Sequence, residues 1–246
     1  MDLSRFYGTR LPVVEIFTSI SGEGISAGEV VTFIRCAGCN LRCSYCDTKY
    51  SYNEKSNENE YLLPEEILKR IEELGCKKII ITGGEPLEEN KQKRYLPLYL
   101  ASKGYNIRIE TNGSTSFYTQ KELELFNARR EKISYAVDVK CPSSQMDKKD
   151  IMHKNSLELK QGDEIKFIVG SDEDINFAMD IIKKYKEIIS DRNIVVNFSP
   201  VFDRYKSEEI VNFMIRENQF FLDNDILVRL SLQIHKFIWN PEARGV

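Results

Sequence analysis

Six short apolar, β-branched runs recur at a nearly constant pitch, and this constrains the fold more than any other feature. They read as strands at Lys78–Thr82, Asn106–Glu110, Ser134–Val139, Glu164–Val169, Asn193–Phe198 and Ile226–Ser231, beginning 28, 28, 30, 29 and 33 residues apart. Two earlier runs, Val13–Thr18 and Val30–Arg35, precede them. Helical spacing fills several of the gaps. In Pro64–Leu74, residues Ile67, Leu68, Ile71 and Leu74 share one face, and Pro64 suits a first helical turn. Ile175, Ala178, Met179 and Ile182 repeat the pattern in Asp172–Ile182, and Ser207–Met214 predicts a third helix with Ser207 as N-cap. Strand–helix–strand alternation implies a parallel sheet. The expectation is an α/β fold: an incomplete or open (β/α) barrel of about six units, mostly parallel, with an added N-terminal β element. No linker rich in Gly, Ser or Pro divides the chain, so a single domain over residues 1–246 is expected. Tyr52–Tyr61 reads as a solvated loop, and Pro142–Gly162 as a long connection with room for a short helix.

Composition narrows the chemistry. A net charge of −3, from 35 Lys+Arg against 38 Asp+Glu, excludes a strongly basic nucleic-acid binder. Only His153 and His235 are available, too few for a multi-histidine metal site. Met1 to Phe17 does not read as a signal peptide, and no apolar run approaches the ~20 residues of a membrane span. A cytoplasmic enzyme with reduced thiols is expected.

Four of the six cysteines fall within eleven residues. Cys39, Cys43 and Cys46 stand in C-x3-C-x2-C spacing. Three thiolates on one loop can each bind a different iron of a four-iron cluster, leaving the fourth iron open to a substrate or cofactor. Cys36, at the end of an expected strand, reads as a small buried hydrophobe. The four cysteines together could instead hold zinc, although structural zinc pairs stand far apart in sequence. Cys76 and Cys141 read as packing residues.

With Tyr45 before the last cysteine, and Thr82-Gly83-Gly84-Glu85-Pro86 directly after a strand, the sequence resembles the radical S-adenosylmethionine superfamily. Glu15 to Gly24 (EIFTSISGEG), Phe33 to Arg35, Ala37 to Asn40, Cys46 to Thr48, Glu110 to Gly113, Leu232 to Trp239 and Arg244 to Val246 narrow the resemblance to the 7-carboxy-7-deazaguanine synthase family, over nearly the whole chain. The resemblance implies a (β/α)6-type radical SAM barrel, a [4Fe-4S] cluster, S-adenosylmethionine and Mg2+. It implies conversion of 6-carboxy-5,6,7,8-tetrahydropterin to 7-carboxy-7-deazaguanine by radical ring contraction with loss of ammonia, a step toward queuosine. The radical is carried by the cofactor, so no side chain is expected as a catalytic group.

Residue by residue, the resemblance gives Cys39, Cys43 and Cys46 to the cluster and Thr48 to magnesium. Tyr45, Cys46, Asp47, Gly83, Gly84, Glu85, Glu110, Asp138, Val139, Lys140 and Ser199 fall at S-adenosylmethionine positions. Ile20, Ser21, Gly22, Glu23, Arg35, Thr82, Gln233 and His235 fall at substrate positions. The chain departs from the family pattern at Ser21, where Gln is usual, at Asp138-Val139 for Ser-Pro, and at Ser199 for Gln. The expected partners are the pterin and a flavodoxin or ferredoxin electron donor, with neither nucleic acid nor membrane. The sequence leaves the oligomeric state open, a homodimer included. Two further readings remain: an activase that takes hydrogen from a glycine of a partner enzyme, and a non-catalytic zinc adaptor.

Overall fold

The computed structural model describes residues 3–147 and 152–246. Among the described residues nine strands form one sheet: β1 (Leu11–Ile20), β2 (Val30–Cys36), β3 (Glu60–Leu62), β4 (Lys78–Gly83), β5 (Asn106–Thr111), β6 (Ile133–Val139), β7 (Glu164–Val169), β8 (Val195–Pro200) and β9 (Val228–Leu230). Their order is β3-β1-β2-β4-β5-β6-β7-β8-β9. β1 pairs antiparallel with β2 and β3, and every later pairing is parallel. Among the described residues β3 and β9 are not joined, so the barrel is open, in line with the expected incomplete or open barrel with an added N-terminal β element.

The helices are α1 (Leu3–Tyr7), α2 (Pro64–Leu74), α3 (Leu96–Ser102), α4 (Gln120–Phe126), α5 (Met152–Asn155), α6 (Asp172–Asp191), α7 (Ser207–Arg216), α8 (Asn218–Asp223) and α9 (His235–Ile238). Among the described residues no helix is long and apolar enough to cross a membrane. α2 keeps its expected bounds. Glu66 accepts from the Leu63 N–H at its start, and Gly75 at φ 78° ends it.

Strand parity decides what each face does. Ile107, Ile109, Val137, Val139, Ile165, Phe167, Val196 and Phe198 join the core under the helices. The alternate residues Arg108, Glu110, Asp138, Glu164, Lys166, Asn197 and Ser199 therefore share the inner face. Side chains of this polarity cannot lie in the apolar layer without partners, so they find one another across the lumen.

Several boundaries differ from expectation. α6 runs to Asp191, because Ile189 continues the buried stripe beyond Ile182. Asn193, at φ 50°, closes that helix, which delays β8 to Val195. Asp225, at φ 52°, and the Ile226 N–H bonded to Phe221 O likewise shorten the last strand to Val228–Leu230. Lys206, not Ser207, occupies the cap position of α7, and its side chain makes no cap bond. The 52–61 stretch is not simply solvated: Asn59 is buried, its Nδ2 donates to Asn53 O at 2.8 Å, and Glu60 and Tyr61 enter β3. In the Pro142–Gly162 connection α5 supplies the short helix, while residues 148–151 lie outside the described residues.

Candidate active site

A cavity of about 520 Å³ opens at the C-terminal ends of the parallel strands, the end where barrels of this kind carry their chemistry. Cys39, Cys43 and Cys46 line one side of it. Their loop leaves β2 at Cys36, which lies fully in the core with its thiol pushed up to about 11 by burial. Such a thiol is an inert hydrophobe at neutral pH. Burial also raises the Cys39 and Cys43 thiols. Cys39 Sγ accepts from the Leu41 N–H at 3.4 Å and from Asn112 Nδ2 at 3.8 Å. N–H groups aimed at sulfur are what a thiolate ligand to iron needs in order to stay charged.

Among the described residues no three His, Cys, Asp or Glu side chains gather closely enough to share a single ion. Three thiols that serve three corners of a cluster need not do so. The donor set, the partly buried sulfurs and the open space beside them fit a cluster with one free corner.

Glycine sets the floor next to the cysteines. Gly84 packs so closely on Gly38 that a Cβ would collide with the Gly38 carbonyl. The Gly84 N–H donates to Cys36 O at 2.8 Å, and the Glu85 N–H to Gly38 O at 2.8 Å. The turn after β4 is thereby stitched to the cysteine loop. Glu85 itself is fully buried and does not line the cavity. Its carboxylate accepts from the Leu87 and Asn112 N–H groups and from Thr111 Oγ1, each at 2.8 Å. It holds the two strand ends together rather than facing a ligand.

Beside the cysteines, Lys140 meets Asp138 at 2.6 Å. Burial opposes charge on Lys140, but Asp138 prevails and its pKa is raised. Asp138 Oδ1 and Tyr45 Oη are buried with no hydrogen-bond partner among the described residues, and the two residues line the cavity. Buried polar atoms left open this way call for a ligand or water. Val139, between Asp138 and Lys140, faces the core instead. Ser199 is on the inner face but buried, and Pro200 and Val201 form the wall there.

Across the cavity Glu23 is held by Lys166 Nζ at 2.8 Å and Gln233 Nε2 at 2.7 Å. Burial would raise the Glu23 carboxyl, yet the Lys166 charge and these hydrogen bonds lower it to about 2. Gly22 packs on His235, whose Nδ1 occupies the space a Cβ would need, and the Ile234 N–H donates to Gly22 O at 3.0 Å. Burial lowers the His235 pKa, which favours the neutral ring near pH 7. Ser21 does not line the cavity: its Oγ is 2.8 Å from Ser26 Oγ, within the tight loop.

Arg35 Nε donates to Glu15 Oε1 at 2.6 Å, and Thr82 Oγ1 to Glu110 Oε2 at 2.8 Å. Arg35, Thr82 and Glu110 all face the cavity, as do Ile20, Asp47, Thr48, Gly83 and Gln233. Thr48 Oγ1 lies 3.6 Å from Cys46 Sγ. Lys166, Asn112, Tyr52 and Lys236 line the cavity as well and were not assigned to the site from sequence. The signal for Lys166 was there: a lysine two residues after a glutamate, inside an otherwise apolar strand, must point into a polar lumen. Asn112 and Lys236 stand inside family motifs, Glu110 to Gly113 and Leu232 to Trp239, while Tyr52 carries no pattern of its own.

Residues 33–215 match a family model described as the radical SAM superfamily. A 7-carboxy-7-deazaguanine synthase from Clostridium acetobutylicum is 43% identical over 235 residues, covering 95% of this chain and 98% of that protein. A protein of the same name from Methanospirillum hungatei is 33% identical, covering 94% of this chain and 86% of its own length. The crystal structure of QueE from Escherichia coli shares the fold at a TM-score of 0.69 and 21% identity, covering 94% of this chain and 98% of that one.

Proposed function

Because the chain belongs to the radical SAM superfamily and, within it, to the 7-carboxy-7-deazaguanine synthases, we propose that the cavity holds cluster and S-adenosylmethionine on its cysteine side and the pterin on its Glu23 side. The activity is that of the family: conversion of 6-carboxy-5,6,7,8-tetrahydropterin to 7-carboxy-7-deazaguanine with loss of ammonia, toward queuosine. One observation carries the assignment of sides: a single cavity is lined both by the three cysteines and by the Glu23–Lys166–Gln233 corner.

When bound, the cluster and S-adenosylmethionine supply one-electron cleavage of a sulfonium bond and hydrogen-atom abstraction. What the chain supplies is placement and charge. Cys39, Cys43 and Cys46 hold the cluster. Gly83 and Gly84 give close backbone approach, and Asp138 Oδ1 and Tyr45 Oη offer polar atoms that still lack partners. Asp47, Glu110 and Lys140 complete the cofactor's surroundings. Glu23, fixed as a carboxylate by Lys166, accepts from ring N–H and amino groups of the pterin. Arg35, with Nε occupied by Glu15, turns its remaining N–H groups to the substrate carboxylate. Thr82, Ile20, Gly22, Gln233 and neutral His235 enclose the ring.

Thr48 would offer its hydroxyl to magnesium, an ion suited to a site that supplies few protein oxygens. A flavodoxin or ferredoxin supplies the electron. Residues 1–246 act as a single domain, supported by one sheet running through the chain.

The test is anaerobic. Protein reconstituted with iron and sulfide is reduced and given S-adenosylmethionine with and without the carboxytetrahydropterin. Formation of 7-carboxy-7-deazaguanine is expected. A cluster that cleaves S-adenosylmethionine while the pterin stays intact would overturn the substrate assignment.

A further inference from the structure

Lys93 is a buried cation that the chemistry above does not use. It sits in a short 3-10 turn, Gln92–Tyr95, and is 1% exposed. Its Nζ donates to Ala37 O at 2.7 Å and Gly38 O at 2.8 Å, the two carbonyls that lead into Cys39. It also meets Glu88 Oε2 at 2.9 Å and Glu54 Oε1 at 3.4 Å. Lys91, from the same part of the chain, takes the other Glu54 oxygen at 2.7 Å.

One ammonium thus ties together three segments far apart in sequence. Glu54 belongs to the polar stretch after the cysteines, Glu88 follows the glycine turn, and Ala37 and Gly38 open the cysteine loop. Gly38 is the knot. Its N–H donates to Ser51 O at 2.7 Å, and its carbonyl accepts from both Glu85 N and Lys93 Nζ. At φ 89°, a Cβ on Gly38 would run into Glu54 and Lys93.

We propose that Lys93 is a positioning residue for the iron–sulfur cluster: it fixes the backbone that enters Cys39 and, with Glu54 and Glu88, sets the local charge that the cluster senses. The proposal rests on Cys39, Cys43 and Cys46 being the cluster ligands. Cluster potentials follow nearby charge, hydrogen bonding and solvent access. A buried ammonium facing two carboxylates is a charge arrangement whose parts can be removed singly.

The experiment measures the cluster's reduction midpoint and the EPR spectrum of the reduced cluster, with and without S-adenosylmethionine. Wild type is compared with Lys93→Met, Lys93→Arg and Glu54→Gln, all reconstituted. Lys93→Met should move the midpoint to more negative values and shrink the cofactor-induced EPR change several-fold. Glu54→Gln should move the midpoint the opposite way, and Lys93→Arg should lie near wild type. Unchanged midpoints would overturn the proposal. Shifts of the same sign in Lys93→Met and Glu54→Gln would also overturn it, because loosening the loop alone gives one sign. If Lys93→Met does not fold, Glu54→Gln and Glu88→Gln carry the test: both should shift positive, and an unchanged or negative shift refutes the idea. A failure of the ligand assignment shows separately, as a Cys43→Ala protein that keeps its cluster.

Discussion

Glu23 and Lys166 meet at 2.8 Å although 143 residues separate them in the chain. The glutamate follows the first strand, and the lysine points inward from β7. Their pairing keeps a carboxylate charged in a partly buried corner where burial alone would raise its pKa.

This pairing has a pH signature. The folded Glu23 value, about 2, lies below the ordinary 4.5. Its stabilisation is therefore fully present above about pH 4.5 and is lost as pH falls toward 2. In urea melts between pH 5 and 3, the stability difference between wild type and Glu23→Gln should shrink as pH falls. A difference that stays constant across that window would refute the paired carboxylate. At neutral pH the same variant should raise the KM for the pterin about tenfold or more, the cost of one charge-assisted hydrogen bond.

Cys43→Ala is expected to lose the cluster and all turnover, while Cys36→Ala keeps both. Iron content and the visible absorbance of the reconstituted proteins decide this. Cys36 is a buried neutral thiol in the core, so its loss should register as stability, by about 1 kcal/mol or somewhat more.

Thr48→Val should weaken the response to magnesium more than it weakens S-adenosylmethionine binding. The substitution keeps the shape and removes the hydroxyl proposed to meet the ion. Activity titrated with magnesium would expose the error if the two proteins gave superimposable curves.

Gly84→Ala introduces a Cβ against the Gly38 carbonyl. Because both partners are backbone, neither can swing away, and a cost of about 3 kcal/mol is expected. The displaced turn should also lose affinity for S-adenosylmethionine. Thermal melting and calorimetric titration would check the two effects separately, and wild-type behaviour in both would refute the close packing.

By itself the sequence determined the local features. The pitch of the apolar runs set a mostly parallel sheet with alternating helices, because periodicity and chain direction are properties of short segments. Pro64 and Gly75 bracket α2 for the same reason. C-x3-C-x2-C pointed to cluster chemistry because three thiols able to serve one cluster stand on one loop. Family motifs carried most of the remaining site residues, and Arg35, Thr48, Thr82 and Lys140 do face the common cavity.

Tertiary structure decided which polar groups face a ligand and which hold the scaffold. Glu85 and Ser21 look like site residues in sequence, yet their side chains spend their hydrogen bonds within the fold. Val139 is turned to the core by strand parity. The alternation within its strand marks Lys166 as inward-facing and nothing marks Lys93, but only strand register and loop crossing bring them to Glu23 and to Gly38. For Glu85, Lys166 and Lys93 the physical reason is the same. Burial and partnership depend on contacts between segments tens to hundreds of residues apart, and no local pattern encodes which of those segments meet.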